Sequence, residues 1–197
     1  MAVIQADIKT YYTSGNATGS HKGAAQNTPD LSLGGWCSTT EQSTLDGNLW
    51  ELLGLDDLNA STTYRCIALL NENATDVLLT CRIVGEYIDA LAAGIGVEFG
   101  IQTNDLTTVA PVCADAETAP VGITFFTPYE DTGVPATDWV SGRTIGPLNS
   151  PQTGTTDLTL DDSTVIFLYI KLTLTAVTAS FTGTNNILRA NVIGSQG

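Results

Sequence analysis

The stretch from Val165 to Ala176, VIFLYIKLTLTA, constrains the fold more than any other part of the chain. Every second residue is aliphatic, and this row is Ile166, Leu168, Ile170, Leu172, Leu174 and Ala176. The alternate row is mixed and consists of Val165, Phe167, Tyr169, Lys171, Thr173 and Thr175. Because side chains of a β-strand point alternately to opposite faces, a period of two predicts a strand with one dry face and one wetter face. As the longest such run, it predicts the central strand of an antiparallel sheet.

A second region has the pattern of a β-hairpin. Residues 64–70 and 76–84 alternate in the same way, and the residues 71–76 between them are of the types that favour turns. Folding the chain about this turn puts all the apolar residues on one face and places Cys66 opposite Cys81. We expect two buried thiols there and not a disulfide, since directly paired strand positions fit disulfide geometry poorly.

Three further strands are predicted. Residues 95–101 alternate large apolar side chains with small or polar ones, and Gly96 and Gly100 leave room for a close approach on the outer face. Residues 121–126 predict a short strand. Residues 188–192 give the dry face of a last strand.

The amino-terminal part has a different composition. Residues 2–12 predict an edge strand or an arm that leaves the domain, and residues 13–35 are rich in Gly, Ser, Asn and Thr. A structureless stretch of this length is unusual inside a compact domain, so we expect it to lie across a neighbouring subunit. Residues 44–54 predict one short helix. The predicted fold is all-β: an antiparallel β-sandwich, Ig-like or jelly-roll, over 36–197, with an extended arm over 1–35.

The charge balance argues against two classes of partner. The chain carries 21 acidic and 7 basic residues, a formal net charge of −14. These few basic side chains cannot neutralise a row of nucleic-acid phosphates or an anionic membrane surface, so we expect neither partner. We also expect no signal peptide and no membrane span, because the sequence lacks a basic-then-apolar leader and a long apolar window. The four cysteines form no Cys-x-x-Cys pair, and we expect thiols made in a reducing cytoplasm.

No group of residues predicts a catalytic, cofactor or metal site. His21 is the only histidine, and an exposed loop residue is a simpler interpretation than half of a nucleophile–base pair. The carboxylate pairs at 56–57 and 161–162 could offer oxygens to calcium but lack EF-hand spacing, so we interpret them as solvated turns. Glu98 could be half of a glycosidase pair, but nothing identifies its partner.

Several short motifs together resemble a known family. They are Ser32-Leu-Gly-Gly, Tyr64-Arg-Cys, Asn71-Glu-Asn-Ala-Thr, Ile95-Gly-Val-Glu-Phe-Gly, Glu117-Thr-Ala-Pro-Val-Gly-Ile-Thr-Phe and the closing strands at 166–170 and 188–192. With them, roughly the last two-thirds of the chain resembles a family of tailed-bacteriophage virion structural proteins. The segment between Thr127 and Thr164 departs from the family in being longer and richer in Pro and Gly.

The resemblance implies a non-enzymatic component of a phage particle with no catalytic residues. The leading hypothesis is a capsid decoration (cement) protein in the virion, assembled in the host cytoplasm. Its partners would be the major capsid protein or other virion proteins, and a homo-oligomer such as a trimer is expected. The alternatives are a tail or baseplate adaptor, a fibre-associated protein, or a carbohydrate-binding module using Tyr87, Tyr129 or Trp139. The residues that we expect at partner contacts are Ile4, Ile8, Tyr11, Tyr12, Trp36 and Trp139.

Overall fold

A computed structural model of the chain describes the backbone of residues 7–15, 17–20, 22–23, 31–41, 61–87, 95–106, 108–125, 129–130, 158–174 and 188–196. Side chains are described at 7–15, 31–41, 61–77, 96–106, 108–125 and 160–174. The named elements in this part are all strands, and it contains no α-helix. The strands are β1 (Ile8–Ser14), β2 (Ala17–Ser20), β3 (Lys22–Gly23), β4 (Trp36–Glu41), β5 (Ser61–Asn71), β6 (Leu78–Tyr87), β7 (Ile95–Asp105), β8 (Tyr129–Glu130), β9 (Leu158–Leu160), β10 (Thr164–Leu174) and β11 (Leu188–Gln196).

The largest sheet is antiparallel and has the strand order β4-β1-β5-β10-β7. Its interior strand β10 pairs with β7 along all eleven residues and with β5 along ten, from Val165 to Leu174. The prediction of a central antiparallel strand within 165–176 is therefore confirmed, and the observed strand is Thr164–Leu174. The predicted strand at 95–101 is also confirmed as β7, and its large side chains Val97, Phe99 and Ile101 are buried.

A second sheet has the order β11-β6-β8, with β9 also paired to β6. The predicted last strand is confirmed as β11, and its register against β6 shifts between Ile193 and Ser195, around Gly194. Strands β2 and β3 form a separate two-stranded ribbon. The predicted short helix at 44–54 lies outside the described residues.

The predicted division of β10 into a dry and a wetter face is wrong for its first half. Val165, Phe167 and Tyr169 belong to the supposedly wetter row, yet each is at most 1% exposed. They form one hydrophobic cluster whose other buried members are Tyr11, Cys37, Cys66, Ala68, Leu70 and Ala110. Leu106, Ile123 and Phe125, from the chain segment after β7, pack against this cluster. An alternating pattern identifies the strand, but it does not reveal that a distant segment covers the second face.

The predicted hairpin between residues 64–70 and 76–84 is also wrong. Strand β5 pairs with β1 and β10, whereas β6 lies in the other sheet. Cys66 is therefore opposite Tyr169, and Cys81 is opposite Leu158. The physical reason is that β5 already has a partner on each edge, so neither edge is open to the strand that follows it.

The turn after β5 is present, and it connects the two sheets. Asn71 is buried, and its side-chain amide donates to the carbonyl oxygens of Asp76 and of Leu160 in β9, each at 3.0 Å. The side-chain oxygen of Asn73 accepts from the backbone amides of Thr75 and Asp76. These side-chain bonds replace the backbone ladder that a hairpin would have made.

Two predictions about other elements need correction. Ile8–Ser14 was predicted as an edge strand or as part of an arm over residues 1–35, but it is an interior strand between β4 and β5. Residues 31–35 also belong to the domain, since the carbonyl oxygen of Ser32 accepts from the amide of Cys66 at 2.7 Å. The short strand predicted at 121–126 is absent over 121–125, where the backbone turns at Gly122 with a φ of 82°.

Replacing Phe167 tests which face of β10 holds the cluster. We expect Phe167→Ala to lower the free energy of unfolding by about 3–5 kcal/mol, because it removes a fully buried ring from a packed core. Thr173→Ala is the matched control on the same face of the same strand, where the side chain is half-buried, and should cost less than about 1 kcal/mol. Chemical denaturation measures both variants. Equal small losses would contradict the assignment of this face to the core.

Candidate functional site

Two segments that are far apart in the sequence form one layer over the sheet. Residues 31–35 and 108–125 are joined by a β-bridge between Gly34 and Val112. On either side of this bridge, the Cys113 amide donates to the Leu33 carbonyl at 2.9 Å, and the Ala110 amide donates to the Gly35 carbonyl at 2.8 Å. We call these two segments together the loop layer.

The loop layer closes part of one edge of β5. Strand β1 pairs with this edge as far as Ile67. Beyond that point the amide of Cys66 donates to Ser32 of the layer, and the amide of Tyr64 donates to Ala116 of the layer, both at 2.7 Å. Three segments therefore share the hydrogen bonding of a single edge, as the backbone groups of a buried strand require.

Two buried hydroxyls hold residues 31–35 in place. The Thr13 amide donates to the Ser32 hydroxyl, and the Gly34 amide donates to the Thr13 hydroxyl, each at 2.8 Å. The Ser32 hydroxyl in turn donates to the carbonyl oxygen of Cys66. Both hydroxyls are fully buried, and each is hydrogen-bonded, so the layer is fixed by polar bonds that would cost free energy to break.

Only glycine fits at two positions of the layer, because both have a positive φ and both lie close to a backbone carbonyl of another segment. Gly34 has a φ of 103° and Gly35 a φ of 96°, a region that other residues rarely adopt. A Cβ at Gly34 would overlap the Pro111 carbonyl oxygen, and one at Gly35 would lie 2.6 Å from the Ser14 carbonyl oxygen. Only glycine lets this segment approach its neighbours so closely.

Residues 108–125 pack directly on the face of the sheet. The Tyr169 hydroxyl donates to the carbonyl oxygen of Pro111 at 2.5 Å. The rings of Tyr64 and Phe125 have their centroids 5.5 Å apart. At Gly100 an added Cβ would overlap the Ile123 side chain, which confirms the prediction that this glycine leaves room for a close neighbour.

The buried thiols of the layer and of the strands beneath it are chemically unreactive. Cys37, Cys66 and Cys113 are buried thiols and are not in disulfides, which confirms the prediction of a buried thiol at Cys66. Burial raises the pKa of the Cys66 thiol well above its ordinary value and raises that of Cys113 to about 11. Burial likewise raises the pKa of the Tyr169 phenol. All three groups stay protonated at neutral pH, so none of them is an activated nucleophile.

The outer surface of the loop layer carries exposed hydrophobic side chains. Among the described side chains, the large hydrophobic ones that are exposed all belong to it: Leu31 (57% exposed), Val109 (50%), Val112 (46%) and Val121 (86%). The layer also exposes Asp115 and Glu117, and its sequence contains no Lys or Arg. Hydrogen bonds from the Thr118 side chain and the Glu117 amide lower the pKa of Asp115, so this carboxylate is charged.

Four of the predicted partner-binding residues lie among the described side chains. Tyr11 is 4% exposed and lies in the hydrophobic cluster, so its ring is not offered to a partner. Ile8 and Tyr12 are half-buried on the opposite face of β1, and Trp36 is half-buried in β4. Ile4 and Trp139 lie outside the described residues. The sequence analysis did not single out the valines of the loop layer. The short apolar run Val109-Ala-Pro-Val-Cys was the available signal for two of them.

Two of the carboxylates considered for catalysis or calcium binding, Glu98 and Asp161, have structural partners. Glu98 forms an ion pair with Lys171, which lies directly opposite it on β10. One Asp161 oxygen accepts from the Ser163 amide at 2.9 Å and from the Thr164 hydroxyl at 2.8 Å, as expected of a turn. The described residues contain no group of three or more His, Cys, Asp or Glu placed to hold a metal ion. His21 and the pair at 56–57 lie outside the described residues.

Comparison with protein-family models, curated proteins and solved structures finds no match. Within the described part of the chain, no helix has the length and apolar character needed to cross a membrane.

Gly100 provides a sharp test of the layer's packing. Gly100→Ala should lower the free energy of unfolding by about 1–3 kcal/mol, because the new methyl group overlaps Ile123. Gly96→Ala is the control on the same strand, where the nearest atom, the Thr173 Cβ, would be 3.7 Å away. This variant should be neutral or gain up to about 1 kcal/mol from the lower flexibility of alanine. Thermal and chemical unfolding of both proteins measure the difference. Equal stability of the two variants would contradict the close packing.

The buried thiols predict a loss of stability at alkaline pH. Unfolded thiols ionise near pH 8.5, whereas the folded Cys66 and Cys113 keep their protons, so the free energy of unfolding should fall as the pH rises from about 8 to 10. The fall should be smaller in Cys113→Ala, measured by chemical denaturation at both pH values.

Native protein at pH 8 should also resist alkylation at Cys37, Cys66 and Cys113, as mapped by mass spectrometry of peptides. Rapid alkylation of these residues would contradict their burial.

Proposed function

We propose that this protein is a non-enzymatic structural component of a bacteriophage particle, and that its role is capsid decoration. What supports the proposal first is the resemblance of its motifs to a family of tailed-bacteriophage virion structural proteins. A second support is that most of those motifs meet at one place in the fold. We propose that these motifs together build a rigid surface that binds its partner through shape and charge.

The convergence of the motifs is the observation that carries the proposal. The Ser32-Leu-Gly-Gly motif bonds to the Tyr64-Arg-Cys motif through the Ser32 carbonyl. The stretch that begins at Glu117 places Ile123 against Gly100, the last residue of the Ile95-Gly-Val-Glu-Phe-Gly motif. The closing strand at 166–170 supplies Tyr169, which reaches the layer at Pro111. Segments that are far apart in the sequence, and that each contribute to the resemblance to this family, thus pack against one another.

The two-layer architecture is part of the same proposal. Leu168 and Ile170 are buried on the face of β10 opposite the hydrophobic cluster, and a second sheet in the chain is available to cover that face. Asn71 of β5 already bonds to Leu160 of β9, which belongs to the second sheet. We propose that the two sheets pack as a β-sandwich.

The decisive test is the copy number and location of the chain in a purified particle. Decoration of the shell predicts hundreds of copies per particle, measured by quantitative mass spectrometry, with density on the outer shell in electron cryomicroscopy. A handful of copies at one vertex would instead favour a tail or baseplate adaptor. Absence from the particle would overturn the proposal.

A carbohydrate-binding module is the second candidate, because aromatic rings are the groups that stack on sugars. Strand β8 runs parallel to β6, with Tyr129 opposite Glu86 and Glu130 opposite Tyr87. The two tyrosines are offset by one residue in this register, so they do not form a pair on one face, and this candidate would use them singly. A glycan-array signal that is lost in both Tyr129→Ala and Trp139→Ala, with unchanged thermal unfolding, would favour this candidate. No signal from the unaltered protein would count against it.

A further inference from the structure

We infer that the loop layer is the docking face for a different protein, whose contact surface has an apolar centre flanked by lysine or arginine side chains. The inference deepens the proposed function and rests on it, since it names the surface that would meet the particle. It follows from exposure, rigidity and charge, which are three separate properties of residues 31–35 and 108–125.

Within the described part of the molecule, this surface is distinguished by its exposed hydrophobic side chains. Leu31, Val109, Val112 and Val121 include every large hydrophobic side chain that is exposed there, and all four lie on the loop layer. Ala114 and Ala119 of the same layer are also exposed. Several exposed hydrophobic side chains on two segments that are bonded to each other are a feature of protein interaction sites.

The layer is held in place before any partner binds. Its backbone is tied to β5 through Ser32 and Ala116, and its two segments are tied to each other at the Gly34–Val112 bridge. Pro111 is anchored by the Tyr169 hydroxyl. A surface ordered in advance loses little conformational entropy on binding, so a modest apolar contact is enough to produce affinity.

Charge indicates which partner fits. The layer exposes Asp115 and Glu117, it contains no basic residue, and the whole chain carries a net charge of −14. A second copy of this chain would bring the same carboxylates and the same large negative charge, which repel. A partner with basic side chains around an apolar centre is complementary to both properties.

The test uses particles purified without this protein and the full-length chain added back. We expect Val121→Asp to weaken binding by at least about tenfold, because it replaces the most exposed hydrophobic side chain of the layer with a charge. Ala74→Asp is the matched control. Ala74 is exposed in the turn after β5, roughly 20 Å from Tyr64 at the other end of the strand, and the variant should bind like the unaltered protein. Thermal unfolding of each variant establishes that it is folded.

A second pair of variants tests the charge of the partner. Glu117→Gln should weaken binding by about two- to fivefold at low salt and have no effect at about 1 M salt, where charge interactions are screened. Ala74→Lys changes the net charge of the chain by the same amount at a distant place and should not weaken binding. A Glu117→Gln variant that binds normally at low salt would overturn the basic character of the partner.

The outcomes separate the inference from the proposed function. If the unaltered chain does not bind the particles, the proposed function and the inference that rests on it both fail. If it binds and Val121→Asp binds equally well, only the inference fails. If sedimentation shows that the unaltered chain is an oligomer that Val121→Asp dissociates, the occupant is a second copy of the chain, and the inference of a different partner is overturned.

Discussion

The fold depends on one strand whose first half is buried on both faces. Strand β10 lies between β5 and β7, and its residues 165–170 are buried whichever way they point. Neither face of the sheet can be left in water at this strand, because exposing Phe167 or Tyr169 would lose the hydrophobic stabilisation of a large buried ring. The chain must therefore supply a cover for the cluster face. It does so with a segment that has almost no regular structure of its own.

Backbone contacts, more than side-chain volume, decide how that cover fits. Glycines lie at the places where the loop layer comes closest to its neighbours, at Gly34 beside Pro111 and at Gly100 beside Ile123. Buried hydroxyls from Thr13 and Ser32 satisfy the amides and carbonyls that a loop would otherwise leave without partners. An irregular segment can thus be as firmly placed as a strand when its polar backbone groups are paired. The side chains that this arrangement leaves on the outside are those that we assign to a partner.

The sequence was informative about strands and much less so about their neighbours. Strands β7, β10 and β11 were predicted because alternation is a local property of a few residues. The pairing of β5 was predicted wrongly, because the choice between β6 and the pair β1 and β10 depends on residues far away in the chain. Residues 13–35 were interpreted as part of an arm, but residues 31–35 pack into the domain. The sequence did not distinguish the two, because small polar residues suit a flexible segment and a tightly packed one equally well. The valines of the loop layer were missed for a related reason: whether a loop residue is exposed depends on what lies beneath it.

The three-way sharing of the β5 edge has a consequence for how the chain folds. The groups that pair with β5 come from β1, from Ser32, from Ala116 and, on its other side, from β10, which ends at Leu174. During synthesis, most of the chain must leave the ribosome before this strand can acquire all its neighbours. Contacts between such distant positions make folding slow and leave apolar strands uncovered in the meantime. Newly made chains should therefore depend on low concentration or chaperones until the carboxyl-terminal strands arrive.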